Sequence, residues 1–152
     1  MTTPIGFDPS TYSSTTEAPF VLGQEFDPGD GKVYRYAKFV DAIAYANGQV
    51  VELASTTAFH VTNDRAGGSS LGRLPVGVCL RVMAQNEYGW VLVRGRHTAI
   101  KDAANAAVLG VKQMSHATAD GDAAPATAYT SNWFCVALAN ASGGTFPGEI
   151  RI

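Results

Sequence analysis

The sequence predicts an all-β fold: a compact β-barrel or sandwich of short antiparallel strands, preceded by an extended N-terminal arm. Three observations carry this prediction. Apolar residues alternate with a period of two in the best-defined stretches, as a strand with two distinct faces requires. Turn signals built on Gly, Pro and Asn recur at short intervals, which suits many short strands. The 152 residues include 16 glycines but only 16% charged side chains, against roughly 25% charged in an ordinary soluble domain. At this length one domain is expected, burying about 68% of its unfolded surface, so a core needs neither disulfide nor metal.

Residues 1–19 are rich in Thr, Ser and Pro, with isolated apolar residues at Ile5, Phe7 and Tyr12. Such a segment cannot bury enough area to offset chain entropy and is expected to be an arm or tail. The β-rich domain is expected over 20–152. It opens with Phe20–Phe26 and Lys32–Val40, joined by Asp27-Pro-Gly-Asp-Gly31. The fixed φ of Pro and the positive φ open to Gly make this link a hairpin turn. Asn47-Gly48 signals a second turn, of type I′, before a strand at Gln49–Leu53, and Ala58–Val61 reads as another short strand. A polar, Gly-rich loop follows over Asn63–Gly72.

The clearest pattern lies in Pro75–Ile100. Val76, Val78, Leu80 and Val82 share one face, with Cys79, Arg81 and Met83 on the other. After the polar turn Gln85-Asn86-Glu87, a strand over Tyr88–Ile100 places Trp90, Leu92 and Arg94 on one side and Val91 and Val93 on the other. An antiparallel hairpin results. Lys101–Leu109 reads as a loop leading to a strand at Val108–Met114, and Ser115–Pro125 as an exposed loop. Ala126–Ala139 ends in the buried strand Trp133-Phe-Cys-Val-Ala-Leu138. Ser142-Gly-Gly144 and Pro147-Gly148 then turn the chain into a final strand at Glu149–Ile152.

Several function classes find little support. A net charge of -2 and a pI of 5.8 do not suit a nucleic-acid grip, although Arg73, Arg81, Arg94 and Arg96 are candidates for a basic patch. No run approaches the roughly 20 apolar residues of a membrane span, and the N-terminus lacks the basic and apolar segments of a signal peptide. The expected setting is therefore soluble, made in a cytoplasm. Cys79 and Cys135 sit in apolar runs and read as small buried hydrophobes; whether they pair is left open. His60, His97 and His116 fall in no ligand pattern, and His97 reads as strand surface or structural. Ala66-Gly-Gly-Ser-Ser-Leu-Gly72 lacks the Gly-Lys-Ser/Thr ending of a phosphate loop. Asp102, Asp120 and Asp122 lack EF-hand spacing. No catalytic, metal or cofactor residue is assigned, and an enzyme is not expected.

The order of motifs carries a resemblance. Gly31-Lys-Val-Tyr-Arg-Tyr-Ala37, Ala42-Ile43 and Gly48-Gln-Val-Val-Glu-Leu53 are followed by Val76-Gly-Val78 and Glu87-Tyr-Gly-Trp-Val-Leu-Val-Arg-Gly95. Over residues 20–100 this resembles the capsid decoration, or cement, proteins of tailed bacteriophages. The resemblance implies a structural virion protein on the outer capsid surface, bound to the major capsid protein and stabilising the expanded head. It also implies a homo-oligomer, trimers being favoured. The Ala-rich segment 101–129 is longer than a minimal member would need. Candidate capsid contacts are Phe7 and Tyr12 in the arm and Phe20 at its junction; deletion of 1–19 is expected to spare the fold and weaken capsid binding. Two other readings stand beside this one. The first is another phage structural part, such as a head fibre base or a tail component. The second is a carbohydrate-binding β module that uses Tyr88, Trp90 or Trp133 as a stacking platform.

Overall fold

The computed structural model describes residues 8–16, 20–55, 58–64, 74–102, 104–115, 121–126 and 133–152. Among these residues all regular structure is strand: β1 (Ser13–Ser14), β2 (Glu25–Phe26), β3 (Val33–Phe39), β4 (Val50–Leu53), β5 (His60–Thr62), β6 (Pro75–Cys79), β7 (Tyr88–Lys101), β8 (Lys112–Ser115), β9 (Ala123–Pro125), β10 (Cys135–Ala137) and β11 (Thr145–Arg151). The all-β expectation holds, and the choice between barrel and sandwich resolves to a barrel with a covering layer.

Five strands close the barrel. β3 pairs in parallel with β5, and the ring continues antiparallel through β4, β6 and β7 back to β3. At 14 residues β7 is longer than the barrel wall. Its first half pairs with β3, and from Arg94 to Lys101 it pairs with β11. From there β10, β8 and β9 extend the sheet into a layer folded over the barrel. β1 adds to β7 at Tyr88 and Gly89, and β2 extends the sheet beyond β3.

Two cores follow from this plan. Inside the barrel lie Ala37, Phe39, Val51, Val61, Val91 and Val93, with Tyr45 and Met83 at one end. Between the barrel wall and the covering layer lie Tyr36, Trp90 and Leu92 against Ile100, Phe134, Phe146 and Ile150. The predicted alternation on β7 is therefore real, but both faces are buried, which makes the stretch read as a nearly continuous apolar run.

The turns show which residues force the path. In the β2–β3 hairpin the Asp27 and Asp30 carboxylates accept from the amides of Gly29 and Lys32 at 2.8 and 3.0 Å. Asn86 takes φ 63° in the turn before β7, where Glu87 N–H donates to Ala84 O at 3.2 Å. At Asn47-Gly48 the turn differs from the expected type I′. Only Gly48 has positive φ, at 83°, with Gln49 N–H donating to Ala46 O at 3.2 Å, the φ pattern of a type II turn.

Other boundaries shift for physical reasons. β6 stops at Cys79, leaving Val82 64% exposed, because the chain must leave the barrel wall to reach the Tyr45–Met83 bridge. Part of the expected exposed loop at 115–125 is instead β9, where Ala123 is buried beside β8. Pro147-Gly148 does not reverse the chain. It forms an irregularity inside β11, the kind of position at which a sheet tolerates proline. The loop after Lys101 and the following strand β8 agree with expectation, as does the β6–β7 antiparallel pairing. The Gly-rich stretch 66–72, Arg73 and His116 lie outside the described residues.

Candidate interaction surface

The described part of the N-terminal segment lies against the barrel. Tyr12 and Phe20 meet edge to face at 5.2 Å, and Phe20 packs on Tyr36 at 5.3 Å and Trp90 at 5.0 Å. Both rings are half-buried. Phe7 lies outside the described residues. Trp90 is 3% exposed, so it presents no face for stacking a sugar. Tyr88 is half-buried against Tyr36 with the Lys38 ammonium 5.5 Å from its ring centroid, and Trp133 carries the Lys112 ammonium at 4.6 Å.

One end of the barrel is closed by a polar network. The Asp41 carboxylate accepts from Tyr45 Oη at 2.7 Å, Thr62 Oγ1 at 2.8 Å and Asn63 N–H at 2.6 Å. Burial, followed by this hydrogen bond, pushes the Tyr45 hydroxyl well above its ordinary range. A recess of ≈ 210 Å³ beside the network is lined by Asp41, Ala42, Ile43, Gln49, Asn63 and Asp64. With three hydrogen bonds already accepted, Asp41 acts as a structural tie and not as a free base. The buried thiols of Cys79 and Cys135 are free of each other and are pushed up by burial, so neither supplies a thiolate nucleophile.

Gly95 lies where β7 passes from the barrel wall to the covering layer. Its φ of 107° and the Gly31 carbonyl 2.8 Å from where a Cβ would stand admit only glycine. Trp90 and Leu92 lie in the layer core, and past the register irregularity between Leu92 and Arg94 the buried residues are Gly95 and His97. Residues facing each other across paired strands share a side. One row, Gly95–Ile150–Cys135–Gln113, is wholly buried. The adjacent row, Arg96–Glu149–Val136–Lys112, faces outward, as does Arg94 opposite Arg151. Arg94, Arg96, Arg151 and Lys112 are all exposed. Of the basic patch read from the sequence, Arg94 and Arg96 belong here, whereas Arg81 reaches the carbonyl of Thr11 elsewhere. Arg151 and Lys112 escaped the sequence reading because only strand pairing brings them alongside.

The same shift of face buries His97, so of the two sequence readings, strand surface or structural, the structural one holds. Ala99 N–H donates to its Nδ1 at 3.1 Å, so Nε2 carries the proton toward Asn47 Oδ1, also at 3.1 Å. Burial, then the nearby Lys32 charge, lowers its pKa from 6.5. The folded state holds His97 neutral while an unfolded chain binds a proton below that value. Stability is therefore expected to fall as pH drops below 6.5, at a slope of up to about 1.4 kcal/mol per pH unit for one proton. Urea unfolding of the wild type and His97→Gln between pH 7.5 and 5 measures this; the variant's curve should be flatter over that range.

The overall fold is similar to that of part of a phage head fiber. The structure is similar to that of the N base of head fiber gp8.5 in bacteriophage phi29, with a TM-score of 0.52. The match covers 78% of this chain and 93% of that chain at 13% sequence identity, so the likeness is one of fold. No family model and no curated protein matches the sequence.

Proposed function

We propose that this chain is a structural virion protein of a tailed phage. It sits on the outer surface of the capsid, binds the major capsid protein and stabilises the expanded head. The observation that carries the reading is the fold shared with a phage head fiber base, a likeness independent of the motif resemblance in residues 20–100. In this reading the protein works as a small oligomer, a trimer being favoured. Weak contacts per copy suffice where a lattice presents binding sites at high effective concentration. Phe7 and the exposed parts of Tyr12 and Phe20 are proposed to contact the shell. Because Tyr12 and Phe20 also pack on the barrel, deletion of 1–7 is a cleaner test of the arm than deletion of 1–19.

Co-sedimentation with unexpanded and expanded phage heads tests the reading. Saturable binding to expanded heads at a fixed ratio to capsid subunits is the expected result, and absence of binding to either form would overturn it. The same fold likeness favours one alternative, a head fibre base. Electron microscopy of labelled protein on heads separates the two, since a decoration protein covers the lattice and a fibre base occupies only the sites that bear a fibre.

A further inference from the structure

We propose that the outer face of the covering layer, centred on Arg94, Arg96 and Arg151, is the surface by which this protein docks onto a carboxylate-rich protein surface of the head shell. The proposal rests on the head-protein reading and adds to it the docking face and the chemistry of the partner.

Charge distribution is the first support. The chain has 13 acidic and 11 basic side chains, yet this face gathers Arg94, Arg96, Lys112 and Arg151 around the single carboxylate of Glu149. An acidic protein has thus placed a positive field on one face. Among the described residues Arg94, Arg96 and Arg151 form no ion pair or hydrogen bond through their side chains, although Arg96 stands directly opposite Glu149. Three guanidiniums held on a rigid sheet offer forked donors without a partner among the described residues, and carboxylates match that fork.

The apolar part of the face selects protein over nucleic acid. Val136 is half-exposed in the same row as Arg96 and Lys112, and Leu138, just past β10, is 37% exposed. Arginine mixed with aliphatic surface is the composition of a protein interface. A phosphate-tracking groove would instead join uninterrupted cations to open stacking rings. Here Glu149 breaks the cation row, and the Trp133 ring is covered by the Lys112 ammonium.

The fold can be ruled in or out as a cause, because all three arginines are exposed and Arg94→Glu/Arg96→Glu/Arg151→Glu should melt within a few degrees of the wild type. In co-sedimentation with expanded heads the triple variant should bind at least about tenfold more weakly. The charge-preserving Arg94→Lys/Arg96→Lys/Arg151→Lys should lie between the two. Raising NaCl from 50 to 300 mM should weaken the wild type and leave the Glu variant nearly unchanged. Equal binding by wild type and Glu variant would overturn the docking face while leaving the head reading intact. No binding of the wild type to heads would overturn the head reading itself. Wild-type binding to single-stranded DNA as tight as to heads, lost in the Glu variant, would reassign the face to nucleic acid, and a wild-type oligomer that dissociates in the Glu variant would reassign it to self-association.

Discussion

Gly48→Ala is expected to abolish folding or to cost at least about 3 kcal/mol, the sum of a strained backbone and an overpacked contact. Gly48 sits where the barrel and its covering layer are tied together. Its N–H donates to Cys79 O and its carbonyl accepts from Lys101 N–H, both at 2.9 Å, so one residue joins the end of β6 to the end of β7. A Cβ on Gly48 would stand 1.9 Å from the Ala99 carbonyl oxygen. The clashing atom is backbone within a long paired strand, so relief requires moving β7 itself. Gly29→Ala supplies the control: its φ of 84° is nearly the same, but nothing lies within 4 Å of the added methyl. That variant isolates the left-handed backbone cost, about 1 kcal/mol. Urea unfolding of both should show a loss several times greater at Gly48. Similar losses at the two positions would mean that the close approach to Ala99 contributes nothing.

Gly48 also shows how far the sequence could be read. Asn47-Gly48 marked a turn, and a turn is there, but the demand for glycine comes from Ala99, some fifty positions along the chain, which no local pattern reveals. The hairpin at Asp27–Gly31 and the β6–β7 pair were legible because adjacent strands and their turn residues are local. Closure of the barrel was not, since it depends on the parallel β3–β5 and antiparallel β3–β7 pairings. The alternation proposed through Val82 failed because apolar residues on both faces of β6 conceal where burial ends. The candidate docking face was half legible. Arg94 and Arg96 stand out on a predicted strand, but the register irregularity between Leu92 and Arg94, opposite Val33 and Tyr34, decides that they face outward and that His97 faces in. Arg151 joins them only through a strand that continues past Pro147-Gly148, a pair that in isolation reads as a turn.

Trp90→Ala is the second substitution expected to have a large effect, about 3–5 kcal/mol. The indole lies at the centre of the outer core, with Phe20, Tyr36 and Phe26 at 5.0, 5.1 and 5.9 Å from it. It thus joins three parts of the chain: the N-terminal segment through Phe20, the β2–β3 hairpin through Phe26 and Tyr36, and β7 itself. Truncation leaves a cavity bordered by rings that cannot close on it without moving apart from one another. The loss should be uneven across the molecule. The inner barrel core, filled from the opposite face of β7 by Val91 and Val93, keeps its contacts, while the N-terminal segment loses one side of its seat. Limited proteolysis should therefore cleave the variant near residues 8–20 faster than the wild type, under conditions where the barrel strands remain protected. Trp133→Ala is the comparison. Its ring is half-buried beneath the Lys112 ammonium, and its removal should cost under about 1.5 kcal/mol. Comparable losses at the two tryptophans, or uniform proteolysis of the Trp90 variant, would show that the outer core does not hold the N-terminal segment in place.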